Sequence, residues 1–557
     1  MNLHIKTNYS HIFKPTQTFV FLQHTHLRAR PFTTAADAKM TKHNPASTPP
    51  KKQINLLRGW PNTSLLPTAQ LQKSSNRVFE DPSIAHPALL YGPDPGPQSL
   101  RESVAKWLRG FYSDYYDAAA VGNDVGKGRT EHAERICITG GASQNLACLL
   151  QVFSDPVVTK VWMVTPGYFL AGRIFDDSGL VVRAVGEGSE GVDLKGLESH
   201  LKEERSNEGN LKVCEVRRAI SRDSVYHVMM FLLTRRSTVY SSAINSRNFL
   251  RQYYANRKQP LKNPKPWSKI YKNIIYCVPT FSNPSGKTMS LACRTQLVCL
   301  AREYDALLIS DDVYDFLQWS TDPSSSTTPN KKAFLPRLVD IDRTLEPVPG
   351  ENDFGNAVSN GSFSKIAGPG VRTGWAEATP RLVYGLSQTG SSRSGGSPSQ
   401  LTATVVNELM SSGDLEKHIY EVLQPAYRQR WRTMMGMIER ELAGLGVKTE
   451  KGEEMFGGYF LWLVLPEGVD SSLVADVALQ KENLIVAPGK IFEVVGDESV
   501  KLERGLRLCF ACEEEEDLAE GVSRLARVVR EVMDKGGLES NEKHFRLDFK
   551  QAAGEFS

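Results

Sequence analysis

Lys365 is set in the run Gly361-Ser-Phe-Ser-Lys-Ile-Ala-Gly-Pro-Gly-Val-Arg-Thr-Gly-Trp375, with Ser362 and Ser364 before it and Arg372 one short loop after it. A lysine amine can condense with an aldehyde, and a guanidinium grips a phosphate ester through paired N–H bonds. Serine hydroxyls and glycine-rich backbone can satisfy the remaining phosphate oxygens. The stretch therefore has the chemistry to hold a phosphorylated aldehyde. Taken alone, it is equally compatible with a Gly/Pro-rich surface loop carrying a solvated lysine.

Three further segments place polar residues at the ends of short apolar runs. Ile136-Cys-Ile-Thr139 leads into Gly140-Gly-Ala-Ser143-Gln144, and Ile274-Ile-Tyr-Cys-Val278 leads into Pro279-Thr-Phe-Ser-Asn283-Pro-Ser-Gly286. Leu307-Leu-Ile-Ser-Asp311 continues into Asp312-Val-Tyr314. Such runs read as strands, and the carboxyl ends of strands are where open α/β sheets collect ligand contacts. In this order the four segments resemble the fold-type-I, pyridoxal-phosphate-dependent aminotransferases of class I and II. Within that family the chain is most similar to the 2-aminoadipate and kynurenine (aromatic) aminotransferase branch, fungal-type members included. The resemblance runs from Ile54 to Met533, apart from one interior block.

The resemblance implies a role for each matching residue. Lys365 would hold the cofactor aldehyde and later carry the substrate Cα proton, and Asp311 would pair with the pyridine nitrogen. The family's Asp-x-x-Tyr spacing selects Asp311 over Asp312. Tyr314 and Asn283 would hydrogen-bond the cofactor's phenolate oxygen. Ser143, Gln144, Ser362, Ser364 and Arg372 would form the phosphate cup, with Ser143 and Gln144 opening a helix. Tyr168 would stack on the ring, although Thr165 stands where relatives often carry an acid. Tyr91 would reach the phosphate of a neighbouring subunit, which implies a homodimer with shared sites. Arg507 would clamp the substrate carboxylate, and Gly59 would lie against the substrate. Arg58 could meet a second carboxylate or point to solvent, and Trp60 could stack on aromatic substrates.

Composition fits such an enzyme. The chain has 557 residues, 40% of them hydrophobic, which suffices for a large core divided between two domains. It contains no apolar run long enough to span a membrane. Eight cysteines are scattered, and the one CxxC pair, Cys509 and Cys512, reads as packing in a reducing compartment, with a redox pair as the alternative. The net charge of +4 is unevenly spread: +4 on residues 1–39, +10 on residues 211–265 and −10 on the rest. Neither basic segment has the spacing of a nucleic-acid module. The resemblance implies amino acids and 2-oxo acids as partners, with no nucleic acid, membrane or metal expected.

The expected fold is α/β. A large domain over 82–385 carries a mostly parallel seven-stranded sheet, and a smaller α/β domain is built from 54–81 and 386–535. Residues 1–53 form an N-terminal arm whose first 39 residues are compatible with a mitochondrial transit peptide. The alternative takes Met40 as the start of a cytoplasmic product, and the cytoplasm is the expected location. The atypical block 213–265 reads as a partly translated intron, with a surface insertion as the second reading and a membrane or RNA contact as the third. Residues 536–557 form a polar tail. Gly457–Trp462 reads as one strand, and the acids Glu513–Asp517 as the start of a helix whose apolar face recurs through Val532.

The function implied is ping-pong transfer of an amino group from a 2-aminoadipate-like or aromatic amino acid to a 2-oxo acid such as 2-oxoglutarate. The same scaffold supports pyridoxal-phosphate lyases, such as aminocyclopropane-carboxylate synthase-like or carbon–sulfur lyases. It also supports non-enzymatic cofactor-sensing regulators, but these carry a winged helix-turn-helix that the proline-bearing stretch before Ile54 does not suggest.

Overall fold

Apolar residues dominate the short runs Ile136–Thr139, Ile274–Val278 and Leu307–Asp311, and each run forms a strand of one sheet. A computed structural model describes residues 51–113, 115, 132–218, 260–263, 265–322, 324, 329–346, 353–449, 452 and 454–535. In the main sheet, β1 is Ile136–Thr139, β2 Lys160–Thr165, β3 Val181–Gly188 and β4 Gly191–Val192. It continues with β5 Asn273–Cys277, β6 Leu307–Asp311, β7 Ala357–Ser362 and β8 Gly374–Glu377. The spatial order is β1-β8-β7-β6-β5-β2-β3-β4. Strands β7, β6, β5, β2 and β3 pair in parallel, while β8 runs antiparallel to both β1 and β7.

The sheet has eight strands where seven were expected. The extra one is the two-residue β4, which folds back antiparallel on β3, with Gly191 at φ +124° permitting the tight reversal. Because β1, β2, β5, β6 and β7 share one direction, Thr139, Thr165, Cys277, Asp311 and Ser362 end on one edge. Every polar segment singled out in the main sheet follows one of these ends.

Both faces of the sheet are covered, which is why β2, β5 and β6 are mostly apolar runs rather than alternating ones. Leu146, Leu149 and Phe153 pack on one face with Phe175 and Leu382. Leu197, Leu297, Val298 and Leu338 cover the other.

A second, antiparallel sheet contains β9 (Lys448–Thr449), β10 (Phe460–Val464), β11 (Ala487–Pro488) and β12 (Gly505–Cys509), in the order β9-β10-β12-β11. The helix Glu515–Asp534 packs against this region through Leu518, Val522, Leu525, Val529 and Val532, with Glu515, Glu516 and Asp517 in its first turn. The single strand expected over Gly457–Trp462 is instead two. Met455–Gly457 pairs with Gln318–Ser320, and β10 begins only at Phe460. Gly458, at φ +71°, turns the chain between them. Ile54–Asn55 pairs in parallel with Leu484–Ile485, so the segment before the first helices lies beside the second sheet.

Residues 1–50, 219–259 and 536–557 lie outside the described residues, and with them the transit-peptide reading, most of the 213–265 block and the polar tail. Among the described residues, no helix is long and apolar enough to cross a membrane.

Candidate active site

A glycine turn and a helix start make one end of the site. The helix Ala142–Phe153 begins directly after Gly141, which sits at φ +96°. Ser143 and Gln144 lie in its first turn, where N–H groups have no intrahelical partner and the dipole favours an anion. A side-chain carbon at Gly141 would lie 3.6 Å from Arg372 Nη2 and 3.7 Å from Ser362 Oγ, so these groups surround one point and glycine keeps it open. The Ser362 hydroxyl donates to Ser364 Oγ at 2.9 Å and accepts from the Ser364 N–H at 3.1 Å. Arg372 is held in the left-handed region at φ +44°, a conformation that costs a non-glycine residue about 1–2 kcal/mol.

Asp311, the last residue of β6, marks the opposite end. It is buried, and burial pushes its carboxyl up to about 6 although Tyr276, Lys365 and Asn360 each favour the ionised form.

Lys365 stands between the two ends on the short turn Phe363–Lys365. Its Nζ donates to the Gly59 carbonyl at 3.0 Å and lies 5.7 Å from the centre of the Tyr314 ring. Burial, joined by the Arg507 charge, brings its amine down to about 8 against the pull of Cys509 and Asp311. Its backbone is pinned by the Tyr459 hydroxyl, which donates to the Lys365 carbonyl at 3.1 Å.

Arg507, on β12, is buried with its guanidinium 4.1 Å from the centre of Phe460 and 4.9 Å from that of Phe492. Nη1 donates to Asn283 Oδ1 at 2.8 Å, and Nη2 donates to the Leu57 carbonyl. Among the described residues no carboxylate pairs with it, and Nε has no hydrogen-bond partner. With its oxygen committed to Arg507, Asn283 keeps its NH₂ for the cavity. Tyr168 is half-buried, and burial takes its hydroxyl up to about 12 while Ser143 opposes the rise. Burial also raises the Tyr314 hydroxyl.

Most of the expected site residues border one cavity of about 260 Å³. Its walls include Gly59, Tyr168, Asn283, Asp311, Tyr314, Lys365 and Arg507, with Ser143, Ser362, Ser364 and Arg372 at the cup. Three expected site residues are absent from the lining. Gln144 spends its side chain on the loop: Oε1 accepts from the Gly140 N–H at 2.9 Å, and Nε2 lies 2.9 Å from the Cys148 sulfur. Arg58 stacks over Trp60 at 5.3 Å and contributes its charge to Glu513 and Cys512. Tyr91 is 89% exposed and follows the exposed Leu89 and Leu90.

Asn360 and Tyr276, which bond Asp311 directly, escaped the sequence reading. Period-two alternation from Ser362 back to Asn360 on β7 was the available signal. Cys509 and Cys512 are free thiols raised by burial, Cys512 to about 12.

The donor set suits pyridoxal phosphate. An open glycine turn with a helix N-terminus, hydroxyls and a guanidinium would hold the phosphate, and a carboxylate would hold the ring nitrogen. An amine, a tyrosine and an amide lie between them. The absence of a side chain at Gly141 leaves open the point that Arg372 and Ser362 surround.

The model of the family "Aminotransferase class I and II" matches residues 52–215 and 245–525. Its break falls inside the block singled out in the sequence and closes earlier, at residue 245 rather than 265. An uncharacterized Saccharomyces cerevisiae protein is 30% identical over 86% of this chain and 97% of its own length. The 2-aminoadipate transaminase of Thermus thermophilus is 24% identical over 86% of this chain and 90% of its own. Among solved structures, the Pyrococcus horikoshii kynurenine aminotransferase in complex with PMP is similar at a TM-score of 0.61 and 25% identity, over 86% of this chain and 91% of that one. Pyridoxal phosphate is the cofactor of this family, and with the family match spanning both sheets and the cavity between their residues, the chain belongs to the class I and II aminotransferases.

Proposed function

We propose that the chain moves the amino group of an α-amino acid, aromatic or 2-aminoadipate-like, to a 2-oxo acid such as 2-oxoglutarate in a ping-pong cycle. The observation that carries this reading is the pairing, in one cavity, of the Lys365 amine with the Arg507 guanidinium that lacks a carboxylate partner. Arg507 offers a fork of donors to the substrate α-carboxylate, which fixes the Cα–H bond relative to Lys365. Burial brings Lys365 Nζ down to about 8, so far more of it is neutral near pH 7 than of an ordinary lysine, and the neutral amine takes the proton from the substrate Cα. In the second half of the cycle it returns a proton to the Cα of the product amino acid.

Bound in this cavity, pyridoxal phosphate supplies an electron sink for the pair left on Cα when that proton departs. Asp311 would hold its ring nitrogen, and Tyr314 and Asn283 its phenolate oxygen. Ser143, Ser362, Ser364 and Arg372 would hold its phosphate, and Tyr168 would cover its ring. Gly59 and the flanking Leu57 and Trp60 form the wall that keeps water from the substrate.

One observation favours aromatic over dicarboxylic donors. Beyond Arg507 the cavity is lined by Leu57, Trp60, Phe169, Leu170 and Phe460, while Arg58 is directed elsewhere. Exposure of Leu89, Leu90 and Tyr91 supports a homodimer that covers this face, with Tyr91 reaching the neighbouring subunit's site. Lys365→Ala tests the assignment: turnover should vanish while the phosphate cup and Asp311 still retain the cofactor non-covalently. Undiminished turnover in that variant would remove Lys365 from the mechanism.

A further inference from the structure

Asp311 reaches the cavity edge with both carboxylate oxygens engaged. Asn360 Nδ2 donates to Oδ1 at 2.9 Å, and the Tyr276 hydroxyl donates to Oδ2 at 2.8 Å. Strand register produces this arrangement. Asp311 and Asn360 are direct partners in the β6–β7 ladder, and Tyr276 on β5 is the partner of Ile309, two residues before Asp311 and therefore on the same face. Neither Asn360 nor Tyr276 lines the cavity.

Asn360 does more than meet Asp311. Its Nδ2 also donates to the Ala142 carbonyl at 3.1 Å, and its Oδ1 accepts from Asn145 Nδ2 at 2.8 Å. Ala142 and Asn145 lie in the first turns of the helix that forms the phosphate end of the site. One buried amide thus spans from the carboxylate at one end of the cavity to the anion-binding helix at the other.

We propose that Asn360 and Tyr276 are positioning residues of the transamination site. Together they hold Asp311 ionised in one orientation, and Asn360 sets its distance from the phosphate-binding helix. The inference rests on the transaminase reading given above. A cofactor with a phosphate at one end and a ring nitrogen at the other requires that distance to be fixed, because a misplacement of an ångström is enough to cost orders of magnitude in rate.

The groups facing Asp311 are Lys365 after β7, Tyr168 after β2, Tyr276 and Cys277 on β5, and Tyr314 beyond β6. The two hydrogen bonds oppose the burial that raises its carboxyl. Loss of either therefore moves the pH at which Asp311 ionises upward.

The test compares Tyr276→Phe and Asn360→Ala with the wild-type, full-length holoenzyme. Tyr276→Phe should shift the acid limb of the amino-acid half-reaction upward by about one pH unit and so slow it about twofold at neutral pH and about tenfold well below pH 6. Its melting temperature at neutral pH should fall by no more than a few degrees, and its affinity for inorganic phosphate should be unchanged. Asn360→Ala should in addition weaken pyridoxal phosphate about tenfold or more in a direct titration of the cofactor-stripped full chain. Wild-type acid limbs in both variants, with wild-type cofactor affinity, would overturn the proposal. A lowered melting temperature without either change would do the same, since it marks a merely structural role. If the wild-type protein transaminates no amino acid, the function reading falls. The cofactor titration of Asn360→Ala still decides the positioning claim.

Discussion

Replacing Arg507 by Met should separate activity from stability. Burial brings the guanidinium down from its ordinary value to about 10, a penalty of about 3 kcal/mol for keeping it charged in the free protein. Against this stand two hydrogen bonds, to Asn283 Oδ1 and the Leu57 carbonyl, each worth about 1.5–3 kcal/mol with a charged donor. The bonds exceed the penalty by about 0–3 kcal/mol. A methionine seated between Phe460 and Phe492 should therefore lower the melting temperature by no more than about 10 °C. The reaction has no such compensation. Loss of two charge-assisted bonds to the α-carboxylate, about 3–6 kcal/mol, lowers kcat/KM by about 10²–10⁴-fold. Thermal melts of the cofactor-free chain and half-reaction kinetics across an amino-acid panel measure the two quantities. A kcat/KM within about threefold of wild type, or a large drop in melting temperature, would refute the reasoning.

Further predictions concern the same cavity. Because burial disfavours the ammonium, Lys365 of the cofactor-free protein should react with an amine-directed reagent with a midpoint near pH 8, well below that of an exposed lysine, as peptide mapping across a pH series would read. For Asp311 the folded form holds its proton more tightly, up to about 6 against an ordinary 3.8, so its stability contribution falls as pH rises through that window. Asp311→Asn should accordingly stabilise the cofactor-free protein above pH 6, by up to about 3 kcal/mol, while lowering the half-reaction rate by two orders of magnitude or more. Denaturant melts at pH 5 and pH 7.5 check the sign. Gly374→Ala drives a methyl to 2.5 Å from the Gly361 carbonyl and 2.9 Å from Gly141 Cα, so it should displace the Gly141 turn. It should weaken cofactor affinity at least tenfold and cost about 1–3 kcal/mol of stability, both measurable by titration and melting.

What the sequence made legible was whatever local order could encode. Strands β1, β5 and β6 stand within one residue of the apolar runs that announced them, since strands covered on both faces read as uninterrupted apolar stretches. Lys365, Asp311 and Arg507 carry chemistry in their residue types and neighbours, and they meet in one cavity. The helix Glu515–Asp534 was visible from its spacing and its acidic first turn. Non-local facts were hidden. Asn360 and Tyr276 matter because of register between strands far apart in sequence, which no window of residues contains. The split of Gly457–Trp462 depends on Gly458 adopting a positive φ, one of several options open to a glycine. Gln144 sits in the first turn of the helix at the phosphate end, where the motif places it, while its side chain returns to the Gly140 N–H, which the residue type alone did not show. For Arg58 the sequence left a second carboxylate and solvent both open, and the structure sets its guanidinium over the Trp60 ring with its charge felt by Glu513.

The most direct test of the central claim is the absorbance of the holoenzyme on mixing with single amino acids in the absence of any 2-oxo acid. Stoichiometric conversion of the bound cofactor from its aldehyde to its amine form, with one equivalent of 2-oxo acid released and conversion reversed by 2-oxoglutarate, is the predicted result. Aromatic amino acids should convert it fastest. Multiple turnovers without an acceptor, releasing ammonia or a thiol, would contradict transamination and make the chain a lyase on the same scaffold.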